Sequence, residues 1–278
     1  MMKKGDDMSI NLVYELQALI NSASESDTDK GIALYLLKNI QRVEDITINE
    51  LANECYTSIS TVSRFCKTIG LANFAELKQR IGEFHLTSYE SMSDNLEGLN
   101  FQQGNDVLVN YTSEIGNALS DFASSIDYEV LDQIISLMHQ SDRVIVYATQ
   151  LPAFFAKYFQ YLMLLQRKYI EFYDLQEDSS YSASQLTDKD CAMVFSAEGN
   201  FIVRNRQVMI QILQTSAKKV LFTQNPGVKF IERFDQVLFL GKRNAPKMGR
   251  YKIQLLVEVL VNRYYYYLEN LSKTENKG

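Results

Sequence analysis

The sequence predicts a multidomain protein in which an all-α domain precedes an α/β domain with a three-layer, parallel β-sheet. Up to about residue 86, apolar residues recur at helical spacing between capping residues. From about residue 106, short β-branched and aromatic runs alternate with helical stretches. The length of 278 residues and the hydrophobic content of 46% suffice for two cores. Residues 87–105 are rich in Ser, Asn, Gln and Gly, so we expect domains at 1–86 and 106–278 joined by a linker at 87–105.

The first two predicted elements are amphipathic helices that support the all-α domain. Their apolar residues repeat every three or four positions, and the second helix begins near Thr28. The apolar positions are Ile10, Val13, Leu16, Leu19 and Ile20, then Ile32, Tyr35, Leu36 and Ile40.

Residues 46–81 predict a helix-turn-helix followed by a docking helix. Thr47 and Glu50 have the spacing of a capping box, so the first helix begins there and runs to about Cys55. Tyr56 and Thr57 then form the turn.

The second helix of this unit begins after the N-cap Ser58 and ends at Gly70, a residue that favours helix C-termini. A further capping signal at Asn73 begins the docking helix. Helical spacing places one set of side chains inward: Ile59, Val62, Phe65, Cys66 and Ile69. It leaves another set outward or at the margins: Ser60, Thr61, Ser63, Arg64 and Lys67.

This outer surface predicts DNA binding. Small hydroxyl side chains on the first turn allow close approach to phosphates and base edges, and a helix N-terminus favours phosphate. From Thr57 to Ile81, four basic residues face one acid, a net charge of +3 in a chain of net charge −6. The alternative is an ordinary small helical domain, because any such domain can contain two capped amphipathic helices.

Five apolar runs in the second half predict the strands of an open parallel sheet. Helical stretches separate the runs, so the sheet is doubly wound and binds ligands beyond the carboxyl ends of its strands. The runs are Val144–Tyr147, Tyr169–Tyr173, Ala192–Phe195, Val220–Thr223 and Val237–Leu240.

The last predicted element is a long helix from Tyr251 to Leu271 with a wide apolar stripe. Two partners for the stripe remain open, the protein's own sheet or the matching helix of a second copy. The tyrosines Tyr264 to Tyr267 cannot all face one core, so some of them meet solvent or another subunit.

The helix-turn-helix resembles the N-terminal domain of the RpiR/MurR family of bacterial transcriptional regulators. The resemblance rests on these residues: Leu51 and Ala52, Ser58, Thr61 to Lys67, Ile69 to Leu71, and Phe74 to Lys78. It implies that this domain binds double-stranded operator DNA. It also implies a C-terminal sugar isomerase (SIS) domain of flavodoxin-like architecture, which senses a phosphosugar and mediates oligomerisation.

The candidate DNA-binding residues follow from the outer face and from this resemblance. The hydroxyls of the first turn approach the backbone or base edges, the basic residues contact phosphates, and Arg64 either contacts DNA or forms an internal ion pair. A homodimer or tetramer is expected, because one short recognition helix gives little affinity alone. The candidates are Thr57, Ser58, Ser60, Thr61, Ser63, Arg64, Lys67 and Lys78.

The α/β half departs from the family pattern in its phosphate-binding loops. The turn after Tyr147 lacks the family's glycines and serine, and Glu198 replaces a hydroxyl that should donate to phosphate. We expect phosphosugar sensing to be lost or altered, unless Arg204 or Arg206 neutralises Glu198. The candidate ligand-binding residues are Thr149, Gln150, Ser196, Glu198 and Asn200.

Other functions have weak support in the sequence. We expect no catalytic residue, metal site or cofactor, because His85 and His139 have no partner at suitable spacing and the three cysteines are scattered. No apolar run approaches the length of a membrane span, so a cytoplasmic regulator, most simply a repressor of carbohydrate metabolism genes, is the expectation. A sugar-phosphate isomerase and a protein-interaction module remain the alternatives.

Overall fold

The computed structural model describes residues 8–22, 26–82, 105–149, 151–173 and 176–275. The chain divides into two compact units, Met1–Asn95 and Leu96–Gly278. All of the predicted linker except its last residue lies outside the described residues.

The N-terminal unit is all-α, as predicted. Capping residues of the expected types begin its helices, with Ser26 ahead of the second, Thr47 ahead of the third and Ser58 ahead of the fourth. Its helices are α1 Met8–Asn21, α2 Asp27–Lys38, α3 Ile48–Glu54, α4 Ile59–Thr68 and α5 at 74–82, with a short 3₁₀ turn at Ile40–Arg42.

The five helices of this unit pack around one hydrophobic core. Buried side chains from all five helices contact each other, including Leu16, Leu36, Leu51, Phe65 and Leu77. This packing holds α3 and α4 in a fixed relation, which a helix-turn-helix requires.

One inward assignment in α4 was wrong. Ile59 exposes 46% of its surface, because it is the first residue of the helix and its side chain points back over the N-terminus instead of toward the core. Val62, Phe65 and Cys66 are fully buried, as predicted, and Ile69 is half-buried.

The C-terminal unit is an α/β domain with a parallel five-stranded sheet, again as predicted. The strand order is β2-β1-β3-β4-β5, so the chain moves outward in both directions from β1 and β3. Its strands are β1 Arg143–Tyr147, β2 Glu171–Phe172, β3 Asp190–Phe195, β4 Lys218–Thr223 and β5 Gln236–Phe239. Its helices are α6 Asn105–Ser125, α7 Tyr128–Gln140, α8 Leu151–Leu165, α9 Gln176–Ser184, α10 Asn200–Arg204, α11 Arg206–Gln214 and α12 Pro246–Glu275.

Two hydrophobic cores cover the two faces of this sheet. One core packs β-strand side chains against α6, α7, α8 and α12, and the other packs them against α9, α10 and α11. The three layers are therefore helices, sheet and helices. The strand order reverses between β1 and β3, which is where such sheets form a ligand crevice.

The last helix is longer than the sequence predicted. It begins at Pro246, five residues before Tyr251, because proline is well suited to the first position of a helix. Its apolar stripe, from Ile253 to Tyr264, packs against the protein's own sheet. Tyr264 is buried, whereas Tyr265 and Tyr266 expose 51% and 59% of their surfaces. Within the described residues, no helix is both long and apolar enough to cross a membrane.

Candidate DNA-binding surface and strand-end crevice

Local features of the backbone define the start of α3 and the turn between α3 and α4. Ahead of α3, the backbone N–H of Glu50 donates to Thr47 Oγ1 at 3.2 Å, and the N–H of Thr47 donates to Glu50 Oε2 at 2.6 Å. This is the predicted capping box. At the turn, Tyr56 adopts a positive φ of 51° and exposes 98% of its surface.

The first turn of α4 carries a cluster of three hydroxyls. Ser58 Oγ lies 2.7 Å from Ser60 Oγ and 2.9 Å from Thr61 Oγ1, and it accepts the backbone N–H of Thr61 at 3.2 Å. Ser58 and Ser60 are exposed, whereas Thr57, Thr61 and Ser63 are half-buried. Ser58 is therefore both the helix cap and a member of the candidate contact surface.

The basic side chains divide into paired and accessible groups. Arg80 donates to Glu76 Oε1 at 2.6 Å, and this bond, after a backbone bond from Ala72, lowers the pKa of the Glu76 carboxyl. Arg64 and Lys67 are exposed on α4, and in the described part of the chain neither forms an ion pair. The internal ion pair considered for Arg64 is thus not present there. Lys78 is half-buried on α5.

Sequence reasoning missed Tyr56 as a candidate site residue. Its ring projects into solvent two residues before the cap of α4, and a positive φ is uncommon for a bulky residue and often marks a functional site. The only signal in the sequence was a large aromatic residue in a predicted turn.

The candidate ligand residues of the α/β unit gather at the carboxyl ends of β1 and β3. Thr149 is half-buried after β1, and Gln150 lies outside the described residues. Ser196 is 3% exposed and its hydroxyl accepts the backbone N–H of Phe201 at 3.0 Å. Asn200 is exposed at the start of α10. The serine hydroxyl therefore has an internal structural role.

Glu198 is bound by groups from two other loops. Gln224 Nε2 donates to Glu198 Oε1, and Arg243 Nε donates to Glu198 Oε2 at 3.1 Å. Arg243 follows β5, so the ion pair of Glu198 is with a residue other than the two arginines considered from the sequence, of which the Arg204 side chain lies outside the described part of the structure. Arg206 is exposed at the start of α11.

A basic segment adjoins this contact and was also missed. Between Gly241 and Lys252 there are five basic residues and no acid. The side chains of Glu114 and Asp121 on α6 lie 3.8 Å from Lys247 and Lys242 respectively. The basic residues are Lys242, Arg243, Lys247, Arg250 and Lys252.

The cysteines and His139 have packing roles. Burial raises the pKa of the Cys66 thiol to about 11 and that of Cys191 to about 12, so both remain neutral. His139 Nδ1 lies 3.2 Å from Tyr264 Oη. Across the described ranges, no group of three or more His, Cys, Asp or Glu residues could hold a metal ion.

Known proteins resemble the N-terminal unit in sequence. A family model described as a helix-turn-helix domain of the rpiR family matches residues 10–84. An uncharacterized HTH-type transcriptional regulator of Caldanaerobacter subterraneus is 47% identical over 60 residues, which are 22% of this chain and 21% of that protein. An uncharacterized HTH-type regulator of Haemophilus influenzae is 19% identical over 242 residues, which are 86% of this chain and 83% of that protein.

Solved structures resemble the chain in fold. The Vibrio vulnificus NanR protein, complexed with ManNAc-6P, has a TM-score of 0.51 and 19% identity, and the match covers 95% of this chain and 97% of NanR. The sugar isomerase domain of an RpiR transcription factor from Sphaerobacter thermophilus has a TM-score of 0.53 and 10% identity, covering 62% of this chain and 99% of that domain. The α/β unit thus has the fold of a sugar isomerase domain.

Proposed function

We propose that this chain is a transcriptional regulator of the RpiR family that binds operator DNA through its helix-turn-helix and acts as a homodimer or tetramer. Recognition uses the outer face of α4, and the α/β domain assembles the copies. The protein acts as a repressor in the cytoplasm, where bacterial DNA lies.

The surface of α4 is the observation that supports this proposal. Its first turn presents the hydroxyls of Ser58, Ser60 and Thr61 at the helix N-terminus, and its second half presents Arg64 and Lys67. Hydroxyls near a helix N-terminus suit phosphates and base edges, and exposed cations suit phosphates. Val62, Phe65 and Cys66 on the opposite face of α4 are fully buried, so its outer face has a fixed orientation.

The exposed face of α8 supports assembly with a second copy. Five large side chains on this face repeat every three or four residues, opposite the buried Ala156, Phe159 and Met163. A helix that is apolar on both faces needs a cover on both. The exposed residues, which we call the α8 stripe, are Leu151, Phe154, Tyr158, Tyr161 and Leu165, with Leu164 beside them.

The α8 stripe supplies much of the area that a homodimer interface needs. Its six side chains, between 38% and 64% exposed, present roughly 500–800 Å² if a fully exposed large side chain presents roughly 150–250 Å². A stable interface buries about 800 Å² per partner. A helix stripe with this spacing packs well against a copy of itself related by a two-fold axis.

The chemical class of small molecule that would regulate the protein is a separate part of the proposal. A phosphorylated sugar is the first class to test, because NanR was solved with ManNAc-6P. Glu198 opposes such a ligand by charge, and the Ser196 hydroxyl already accepts a backbone N–H. We therefore propose altered or lost phosphosugar sensing, and no catalytic role, because the curated relatives are named as regulators.

Lys67→Ala tests DNA binding by α4. Because Lys67 is exposed and its charge would neutralise a phosphate, its loss should weaken binding to all DNA sequences and lower the slope of log affinity against log salt by about 1. The measurement is a gel-shift or fluorescence titration at several salt concentrations, with DNA from the region upstream of the coding sequence.

The matched control is Lys67→Arg, which keeps the charge and should keep the salt slope. If Lys67→Ala binds DNA with unchanged affinity and slope, Lys67 makes no phosphate contact. If the unaltered protein binds no DNA at any salt concentration, the proposed function is wrong.

A further inference from the structure

Glu198 is a largely covered carboxylate at the edge where open parallel sheets bind ligands. It follows β3, and its side chain is only 10% exposed. Gln224 donates to one carboxylate oxygen and Arg243 to the other, while Asn225 Nδ2 donates to the Glu198 carbonyl at 3.0 Å. An amide and a guanidinium are the donors that an anionic ligand normally receives from a protein.

The orientation of Gln224 shows that the crevice is arranged around a negative charge. This residue is 1% exposed, its Nε2 faces Glu198, and its Oε1 has no hydrogen-bond partner within the described residues. A buried acceptor without a partner is destabilising. Gln224 Nε2 also donates to the Asn244 carbonyl at 3.3 Å, so turning the amide over would place its oxygen against both this carbonyl and the Glu198 carboxylate.

The charges around Glu198 are mostly positive. Lys252 is fully buried, and its Nζ donates to the Lys242 carbonyl at 2.6 Å. Burial lowers the pKa of the Lys252 ammonium, whereas the charges of Asp121 and Glu198 raise it. Glu198 therefore supplies one of the two carboxylates that favour the charged form of this lysine. Without the charge of Glu198, Lys252 would keep only Asp121 as compensation.

We propose that Glu198 is a built-in anionic ligand of the crevice. It occupies the donors of Gln224 and Arg243, so these donors have an anionic partner without a free oxyanion. Resting on the proposed function, this means that DNA binding by the regulator does not depend on an oxyanion at this place. Removal of the Glu198 charge opens the crevice to a small oxyanion such as inorganic phosphate.

The test compares thermal unfolding of the full chain in sodium phosphate and in sodium chloride at equal ionic strength. The unaltered protein should unfold at the same temperature in both salts. Glu198→Gln keeps the size of the side chain but removes its charge, so it should unfold at a lower temperature in chloride. Millimolar phosphate should raise its midpoint by about 2–6 °C relative to chloride.

Arg243→Gln is the matched control. It should also lower the midpoint, but phosphate should not restore it, because Glu198 still repels the anion. The double variant Glu198→Gln with Arg243→Gln should lose the phosphate effect. If Glu198→Gln does not fold in chloride, folding restored by phosphate supports the proposal, and no recovery in phosphate contradicts it.

Two further outcomes would overturn the proposal. One is a phosphate effect on the unaltered protein as large as that on Glu198→Gln, since the crevice would then be open already. The other is a folded Glu198→Gln that gains nothing from phosphate. These measurements contain no DNA, so a failure of DNA binding bears on the proposed function alone.

Discussion

At the residue scale, Ser58 combines a structural and a recognition role. Its Oγ accepts the N–H of Thr61 and lies within hydrogen-bonding distance of Ser60 Oγ and Thr61 Oγ1. In each of these two pairs either hydroxyl can be the donor, and Ser58 Oγ has one proton and one lone pair left after it accepts the Thr61 N–H, so it can bond both neighbours at once. Ser60 is exposed and is the neighbour with more freedom to turn toward DNA.

Ser58→Ala and Ser60→Ala should therefore have different effects. Ser58→Ala should destabilise the helical domain by about 1 kcal/mol, because α4 loses its N-cap. Ser60→Ala should leave stability nearly unchanged and alter the preference among DNA sequences. Urea unfolding followed by circular dichroism measures the first effect, and binding to a randomised DNA library measures the second. Equal stability of the two variants would contradict the capping role.

The ion-pair partner of Glu198 was not predicted, because it is distant in the sequence. The sequence suggested the arginines that follow it closely, but the structure pairs it with Arg243, 45 positions away. The loops after β3, β4 and β5 meet because parallel strands place their carboxyl ends at one edge of the sheet.

At the element scale, two glycines of the α/β unit differ in the space around them. One lies in the segment before α12, and the other lies within α6. Gly241 has a φ of +71°, and a Cβ there would lie 2.6 Å from Asp121 Oδ2 and 2.9 Å from the Cα of Phe122. The segment before α12 therefore passes close to the backbone of α6. Gly116, in the middle of α6, has nothing within 4 Å of such a Cβ.

Gly241→Ala and Gly116→Ala should change stability in opposite directions. Gly241→Ala adds backbone strain and a steric clash, so it should lower the free energy of unfolding by roughly 2 kcal/mol or more. Gly116→Ala improves helix propensity and should raise it by up to about 1 kcal/mol. Denaturant unfolding of each full-length variant provides the comparison. A stable Gly241→Ala protein would mean that α6 and the segment before α12 are less closely packed.

At the scale of the whole molecule, assembly determines whether two recognition helices act together. The α8 stripe lies on a helix whose other face belongs to the core, so its exposed residues can change without loss of the fold. Dimerisation makes the second DNA contact intramolecular, which raises overall affinity without any new contact to DNA.

Leu165→Lys tests the α8 stripe as the contact between copies. Leu165 is 64% exposed, and burying a lysine charge in an apolar interface would be strongly unfavourable, so the variant should be a monomer with weaker DNA binding. Size-exclusion chromatography with light scattering gives the mass in solution. Ile210→Lys is the matched control, because Ile210 is 41% exposed on α11 and should leave assembly unchanged. An assembled Leu165→Lys protein would place the contact elsewhere.

Local patterns in the sequence determined most elements of the fold and the helix-turn-helix. The capping residues Thr47 and Ser58, the glycine at position 70 and the five strand runs depend on neighbours a few positions away. Such short-range interactions are visible in sequence, which is why the order of elements and the strands were confirmed. The domain boundaries and the roles of the site residues remain predictions.

Only the tertiary structure decided what the strand-end crevice contains. Gln224 and Arg243 reach Glu198 across 26 and 45 positions, and Lys252 becomes buried only when α12 packs on the sheet. The exposure of the α8 stripe likewise depends on which face the core covers. Sequence spacing records neighbours along a helix or strand, whereas these features depend on loops and faces that folding brings together.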